Sequence, residues 1–333
     1  MQRGTRTATY ETSPNIALVK YWGVRDPARA LPYNSSLSVT LERLRTRTRV
    51  EFVPGLDRDE FRLNGRPAAP AATAAVAGML DRVRDAARVT DRARVVSRNN
   101  FQTASGLASS ASGFAALAGA ASAAAGLRLS PQRLSQLARF GSGSACRSIF
   151  GGFVEWRAGR RADGRDCYAR PLYPPRHWPD LVDLVALVAA APEKSVRSAV
   201  AMQASVETSP EYARRLAEVP GRLAGIHRAI ARRDSAALFP LIMEECDSFR
   251  LVCETTRPSL DYLTATSREI LTAVRDLNTD TGRPVAAYTH DAGAHVHVFT
   301  LGRHVRAVRA RLRSIRGIER TLLLHAGTGG RRI

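Results

Sequence analysis

Lysine is almost missing from this strongly basic chain. Of its 50 basic residues only Lys20 and Lys194 are lysine; the other 48 are arginine. Where arginine has replaced lysine nearly everywhere, a surviving lysine marks a place that needs a compact, rotatable ammonium and not a planar guanidinium. Chance survival accounts for either lysine alone, but the residues around Lys20 favour a role for it. Cysteine is scarce too. Cys146, Cys167, Cys246 and Cys253 form no C-x-x-C pair, which argues against a disulfide framework or structural zinc and points to a reducing, cytoplasmic setting. Cys246 and Cys253 read as two buried thiols on one helix face. No run approaches 18 apolar residues, so no membrane span is expected. Residues 1–10 carry arginines but no apolar segment of the kind a secretory signal needs.

With 30 acidic residues the formal charge is +20. The arginines are spread over the whole chain, with no basic stripe interleaved by aromatics, so a nucleic-acid partner is not expected. A small anionic substrate needs only a few local cations. With 333 residues and 44% hydrophobic content the chain is globular, with ample material for a core.

Strand patterns run over residues 5–10, 36–52, 94–97, 152–156 and 181–191, with an Asn-Gly hairpin signal at Asn64-Gly65. Residues 71–87 are helical in period, 107–125 form a small-residue helix that should be buried, and shorter helices are expected over 131–140 and 145–150. Beyond residue 190 long amphipathic helices follow over 210–233, 235–249 and 259–277. Strands over 285–288, 295–301 and 321–325, with a helix over 305–315, complete the chain. The expected architecture is α+β, with two halves, 1–190 and 191–333, and a cleft between them.

Three segments carry chemistry. Ser105, Gly106, Leu107, Ala108, Ser109 and Ser110 form a small-residue loop opening the buried helix. Free N–H groups at a helix start suit a triphosphate, and a Ser109 or Ser110 hydroxyl can reach phosphate or Mg²⁺. A close contact of small residues between helices would use the same composition. Gly141 to Ser148 alternates Ser142 and Ser144 with glycine ahead of Arg147, a set suited to carboxylate or phosphate, though a capped turn with a surface arginine reads the same way. Tyr288 to Gly293 places Asp291 just after a strand, where a loop can aim a carboxylate into a cleft. His290, His295 and His297 nearby lack an acidic or cysteine partner at metal-ligand spacing, so satisfied or exposed strand histidines are the expectation.

Together with Asn15-Ile-Ala-Leu-Val-Lys20-Tyr21-Trp22-Gly23, Leu31 to Thr40 and Ala204 to Pro210, these segments resemble the mevalonate diphosphate decarboxylase family of the GHMP kinase superfamily. The resemblance runs from about residue 10 to 330. It implies the two-lobed GHMP-kinase-like fold, ATP and Mg²⁺ as cofactors, and a homodimer. It also implies that Asp291 acts on the substrate's 3-hydroxyl, that Lys20 lies by the transferred phosphate, and that Arg147 holds the carboxylate lost as carbon dioxide. Asn15, Tyr21, Ser142, Ser144 and Ser198 match substrate-contacting positions, and Ser105 to Ser110 match the ATP loop, with Ser109 toward Mg²⁺. The chain departs from the family pattern at Val24 and Ala199, where cations serve the substrate's phosphate tail. Mevalonate 5-diphosphate is the first expectation. The 5-monophosphate, another 3-hydroxy acid, or a kinase that stops at the 3-phosphate are the alternatives.

Overall fold

A computed structural model describes residues 6–101, 109–189, 196 and 198–333. The ATP-loop residues Ser105, Gly106, Leu107 and Ala108 lie outside them, as does Lys194.

Three sheets carry the architecture. The first has six strands, in the order Arg331–Arg332, Arg6–Thr12, Thr46–Val53, Arg92–Asn99, Glu60–Leu63 and Arg66–Pro67. The alternation of Thr46–Val53 puts Thr46, Thr48, Val50 and Phe52 inward and leaves Arg47 and Arg49 exposed. The helix Ser109–Ala124 packs on this sheet and is buried nearly all round. Its alanines, serines and glycines make that possible, because short side chains let backbones approach closely. Residues 36–52, read from sequence as one strand, are two strands in different sheets. The chain leaves Ser36–Thr40, turns through Arg43 at φ +66° and enters Thr46–Val53. The Asn-Gly hairpin forms as its chemistry dictates, with both residues left-handed at φ +50° and +84°.

The second sheet orders Ala169–Tyr173, Phe153–Trp156, Ser36–Thr40 and Asn15–Val19, so Asn15–Val19 is an edge. The third orders Ala286–Thr289, Val296–Leu301, Leu181–Val188 and Ile318–Leu324, so Ala286–Thr289 is also an edge. Leu181–Val188, assigned from the sequence to the first half, is therefore an interior strand among C-terminal partners. Helices Ser235–Thr255, Ala265–Asp280 and Val305–Arg313 pack on this sheet, and Tyr212–Arg232 and Ser198–Thr208 pack on the first of them. One core joins the halves: Ile16, Leu18 and Val39 share a buried cluster with Val185, Phe239 and Phe299. No helix among the described residues is long and apolar enough to cross a membrane. All four cysteines are buried and free.

Candidate active site

The two edge strands meet at the junction of the halves. Lys20 follows Asn15–Val19 directly, and Asp291 follows Ala286–Thr289 by two residues. The Thr289 hydroxyl reaches the Ala17 carbonyl at 3.5 Å. Lys20 Nζ donates to the same carbonyl at 2.8 Å and to Asp291 Oδ1 at 2.9 Å. The lysine side chain is 3% exposed and the aspartate 28%, so the pair opens toward solvent on its carboxylate side only. Burial alone would raise the Asp291 carboxyl; the charge and hydrogen bond of Lys20, with His297 and Arg147 adding, outweigh it and hold the group below the ordinary carboxylate value.

The Lys20 backbone is tied down from the other side. Its N–H donates to Glu245 Oε1 at 3.0 Å, and its carbonyl accepts from Asn34 Nδ2 at 3.0 Å and Arg215 Nη2 at 3.3 Å. Glu245 is fully buried in the helix Ser235–Thr255 and ion-paired with both Arg215 and Arg222. Sequence reasoning missed Glu245; the available signal was a carboxylate among Leu238, Phe239, Ile242 and Phe249 on the buried face of that helix. A buried carboxylate needs charged partners.

Arg147 stands on the 3₁₀ turn Gly143–Ile149 and is 2% exposed. Its Nε donates to Asn15 Oδ1 at 3.1 Å and Ser38 Oγ at 2.9 Å, and its Nη1 to Ser36 Oγ at 2.6 Å. Asn15 Nδ2 in turn donates to Ser148 Oγ at 2.8 Å. The side chain of Asn15, expected to meet substrate, is thus engaged with the arginine and its turn. Burial pulls the guanidinium down from its ordinary value, opposed by the charge of Asp291 among others. Glycine at position 143 is required by packing: a Cβ there would lie 2.5 Å from the Tyr21 ring and 2.9 Å from Trp156. Tyr21 stands edge-on to Trp156, ring centroids 4.7 Å apart, and burial raises its hydroxyl so that it stays protonated. Ser142 and Ser144 are half-buried beside it, their hydroxyls 3.4 Å apart. Gly23 has φ +105°, and a Cβ there would lie 1.9 Å from the Tyr212 hydroxyl, which donates to the Trp22 carbonyl at 3.0 Å. That contact fixes the turn leaving Lys20-Tyr21-Trp22.

The remaining positions are less closely engaged. Ser198 opens the helix Ser198–Thr208 and is half-buried, while Ala199 next to it is exposed. Val24 packs against a cluster containing Trp22, Ala201 and Met202. Arg25, a neighbouring cation, is engaged with the carbonyls of Pro32, Ala158 and Gly159. Ser109 is the first residue of the helix Ser109–Ala124, with Ser110 exposed beside it. The histidines are held by single hydrogen bonds: His297 Nδ1 to Asp183 Oδ2 at 2.6 Å, His295 Nδ1 to the Val188 N–H at 3.1 Å, and His290 Nδ1 to the Asp291 carbonyl at 2.8 Å. Among the described residues no cluster of three His, Cys, Asp or Glu could hold a metal. A hydroxyl at a helix start fits Mg²⁺ arriving with nucleotide phosphates, since that ion keeps mostly phosphate and water oxygens.

The arrangement has one carboxylate bonded to an ammonium and within the field of a buried guanidinium, a local excess of positive charge that favours an anionic substrate. Two family descriptions match in tandem: the diphosphomevalonate decarboxylase-like N-terminal domain over residues 12–169 and the mevalonate 5-diphosphate decarboxylase C-terminal domain over residues 184–323. The diphosphomevalonate decarboxylase mvd1 of Aspergillus fumigatus is 40% identical over 328 residues, 93% of this chain and 80% of its own. The human diphosphomevalonate decarboxylase is 41% identical over 307 residues, 87% of this chain and 76% of its own. Among solved structures, MDDEF in complex with MVAPP, AMPPCP and magnesium is 36% identical with a TM-score of 0.92, covering 99% of both chains. The mevalonate diphosphate decarboxylase of Staphylococcus aureus is 33% identical with a TM-score of 0.92, covering 100% of this chain and 99% of its own.

Proposed function

Because the chain belongs to the diphosphomevalonate decarboxylase family, we infer that it carries out the ATP-dependent decarboxylation of mevalonate 5-diphosphate to isopentenyl diphosphate, releasing ADP, phosphate and carbon dioxide. The observation that carries the inference is the Lys20–Asp291 pair, at 2.9 Å, in one electrostatic neighbourhood with the buried Arg147. Asp291, kept ionised, accepts the proton of the tertiary 3-hydroxyl as its oxygen bonds to the γ-phosphorus of ATP and ADP departs. Lys20 orients the carboxylate and offers positive charge beside the transferred group. The Ser109 hydroxyl would help hold Mg²⁺ brought in with the nucleotide, which would supply charge neutralisation when bound. The new 3-phosphate leaves with its bonding electrons, and C3 takes on positive charge. The electrons of the C1–C2 bond then form the alkene, and carbon dioxide leaves. Arg147 has the task of fixing the carboxylate so that this bond aligns with the emptying orbital. Its own anchoring by Asn15, Ser36 and Ser38 suits that task, because a guanidinium held in three places presents a fixed edge.

Tyr21, Ser142 and Ser144 stand beside Arg147 as substrate contacts, Ser198 adds a further one from the start of its helix, and residues 105–110 serve the ATP phosphates. The pairing of Leu181–Val188 with C-terminal strands on both sides supports dividing the two halves ahead of Leu181 and not at 190/191. A cytoplasmic homodimer fits the four free thiols and the family. The test offers ATP-Mg²⁺ with mevalonate, its 5-phosphate or its 5-diphosphate, and measures ADP and carbon dioxide separately. Equal release of both with the 5-diphosphate alone is the expected result. ADP without carbon dioxide, or preference for the monophosphate, overturns it.

A further inference from the structure

The sheet that leads to Asp291 holds a second buried pair. His297 Nδ1 donates to Asp183 Oδ2 at 2.6 Å, with both side chains buried. The other oxygen, Asp183 Oδ1, is enclosed and has no hydrogen-bond partner among the described residues. A buried carboxylate satisfied on one oxygen only is costly, and an apolar pair in the same space commonly serves stability as well or better. That cost points to a use beyond packing. Strand order fixes which end of the pair faces the site. His297 lies on Val296–Leu301, directly opposite Thr289 of the edge strand Ala286–Thr289, while Asp183 lies on Leu181–Val188, one strand further in. Opposed residues share a sheet face, and on that face the Thr289 hydroxyl reaches the Ala17 carbonyl that Lys20 Nζ also uses. The imidazole is therefore the end nearer Asp291, two residues beyond Thr289. The carboxylate end stands one strand spacing, about 4.8 Å, further across the sheet.

The charge of His297 lowers the Asp291 carboxyl by more than that of Arg147 does. The other charged or titratable groups around the pair are His295 on its own chain segment, His290 beside Asp291, and Lys20 and Arg147 from the N-terminal half. Glu245, with Arg215 and Arg222, stands behind the Lys20 backbone. Substrate gives the arrangement its weight. A triphosphate, a carboxylate and a phosphate tail bring negative charge up to Asp291 and push it toward its protonated form. Lys20 bonds Asp291 directly, but has the transferred group to serve as well. We propose that His297 is a positioning residue for this reaction: backed by Asp183, it turns the positive end of a buried pair toward Asp291 and keeps that carboxylate ready for the 3-hydroxyl proton while the anionic substrates are bound. The proposal rests on the role given to Asp291 above. The proton passes from the hydroxyl to the Asp291 carboxylate, and His297 neither gives nor takes it.

Two variants of the whole chain test this. His297→Gln keeps an N–H for Asp183 and removes the charge, and Asp183→Val/His297→Val replaces the pair with side chains that suit a buried strand. Should one fold poorly, the other decides. Turnover of mevalonate 5-diphosphate is followed against pH as carbon dioxide release. With the positive end gone, Asp291 takes up a proton at higher pH, so the acid limb of kcat should move up by about half a pH unit or more in both variants. At a fixed pH on that limb the loss is then at least about threefold, while turnover on the plateau above it stays within about twofold. An acid limb that stays in place in a folded variant overturns the proposal. So does an equal loss at every pH, which would mark the pair as a structural support. No turnover by the parent shows separately that the functional reading has failed, and the proposal falls with it.

Discussion

Lys20 and Asp291, 271 residues apart in sequence, meet at 2.9 Å because two edge strands of different sheets end side by side. The lysine is enclosed and the aspartate partly open, so the ammonium acts as a fixed counter-charge and the carboxylate is the partner presented to a ligand. In a chain with 48 arginines this is one of two places where lysine persists. Its Nζ makes two bonds in a narrow space, to a carbonyl and a carboxylate, a geometry that a planar fork fits badly.

Asp291→Asn should abolish ADP and carbon dioxide release together, by roughly 10²–10⁴-fold, the range for removing a positioned proton acceptor. The fold should persist, since the amide keeps a carbonyl oxygen to accept from Lys20. Lys20→Arg should also be severely impaired despite conserving charge. The measurement is ADP and carbon dioxide per enzyme, with circular dichroism as control. Near-full turnover in Asp291→Asn would mean that proton removal is done elsewhere.

Arg147→Gln gives up charged hydrogen bonds worth about 1.5–3 kcal/mol each, and it should lower carbon dioxide release by at least ~100-fold. Ser36→Ala removes one anchor of the guanidinium, the 2.6 Å contact to Nη1, and should cost on the order of tenfold. If Ser36→Ala and Arg147→Gln proved equally damaging, the hydroxyl would be serving substrate directly and not the arginine.

Much of this site was legible along the chain, and the reason is local. Lys20, Arg147 and Asp291 sit in short segments whose small residues and glycines are forced by packing, as at Gly143 against Tyr21 and Gly23 against Tyr212. Other features depended on partners far away in sequence. The strand Asn15–Val19 is fully buried and has no alternation to reveal it. The break between Ser36–Thr40 and Thr46–Val53 turns on a left-handed arginine, which no propensity marks. The phosphate-tail cations of the family pattern are not supplied at Val24 or Ala199: Val24 is packed on apolar neighbours, Arg25 is committed to carbonyls, and Arg197, the other arginine near that end, lies outside the described residues. The partners of Glu245 could not be read locally, because both arginines lie on another helix.

That buried carboxylate supports the next expectation. Glu245→Gln leaves Arg215 and Arg222, which are 1% and 4% exposed, without their shared counter-charge. Breaking a buried ion pair from one side typically costs about 3–5 kcal/mol. Thermal and urea unfolding should show a loss of that order. Activity should fall as well, because the Lys20 N–H donates to this carboxylate. A variant as stable as the parent would show that the arginines find other partners or leave the core.

Acid sensitivity offers a separate check, through His290. Its ring is 1% exposed, and burial, reinforced by the charge of Lys20, lowers its pKa to about 4. An unfolded chain protonates the same group near 6.5. Between those values the unfolded state binds a proton that the folded state refuses, so stability rises with pH across the window and is lost as pH falls from about 6.5 to about 4. Asp291 works in the same direction but lower down: its carboxyl lies below the ordinary value, so the stability it contributes is complete above the unfolded carboxylate range and is lost as pH falls through the folded value. Replacing His290 by phenylalanine removes the first contribution and leaves the second. Unfolding free energies from urea titration at pH 7 and pH 4.5 should therefore differ less in His290→Phe than in the parent, by an amount on the order of 2 kcal/mol at 1.36 kcal/mol per pKa unit. Parallel losses in the two proteins would place the acid-sensitive group elsewhere, with His295, also lowered to about 4 by burial, as the next to replace.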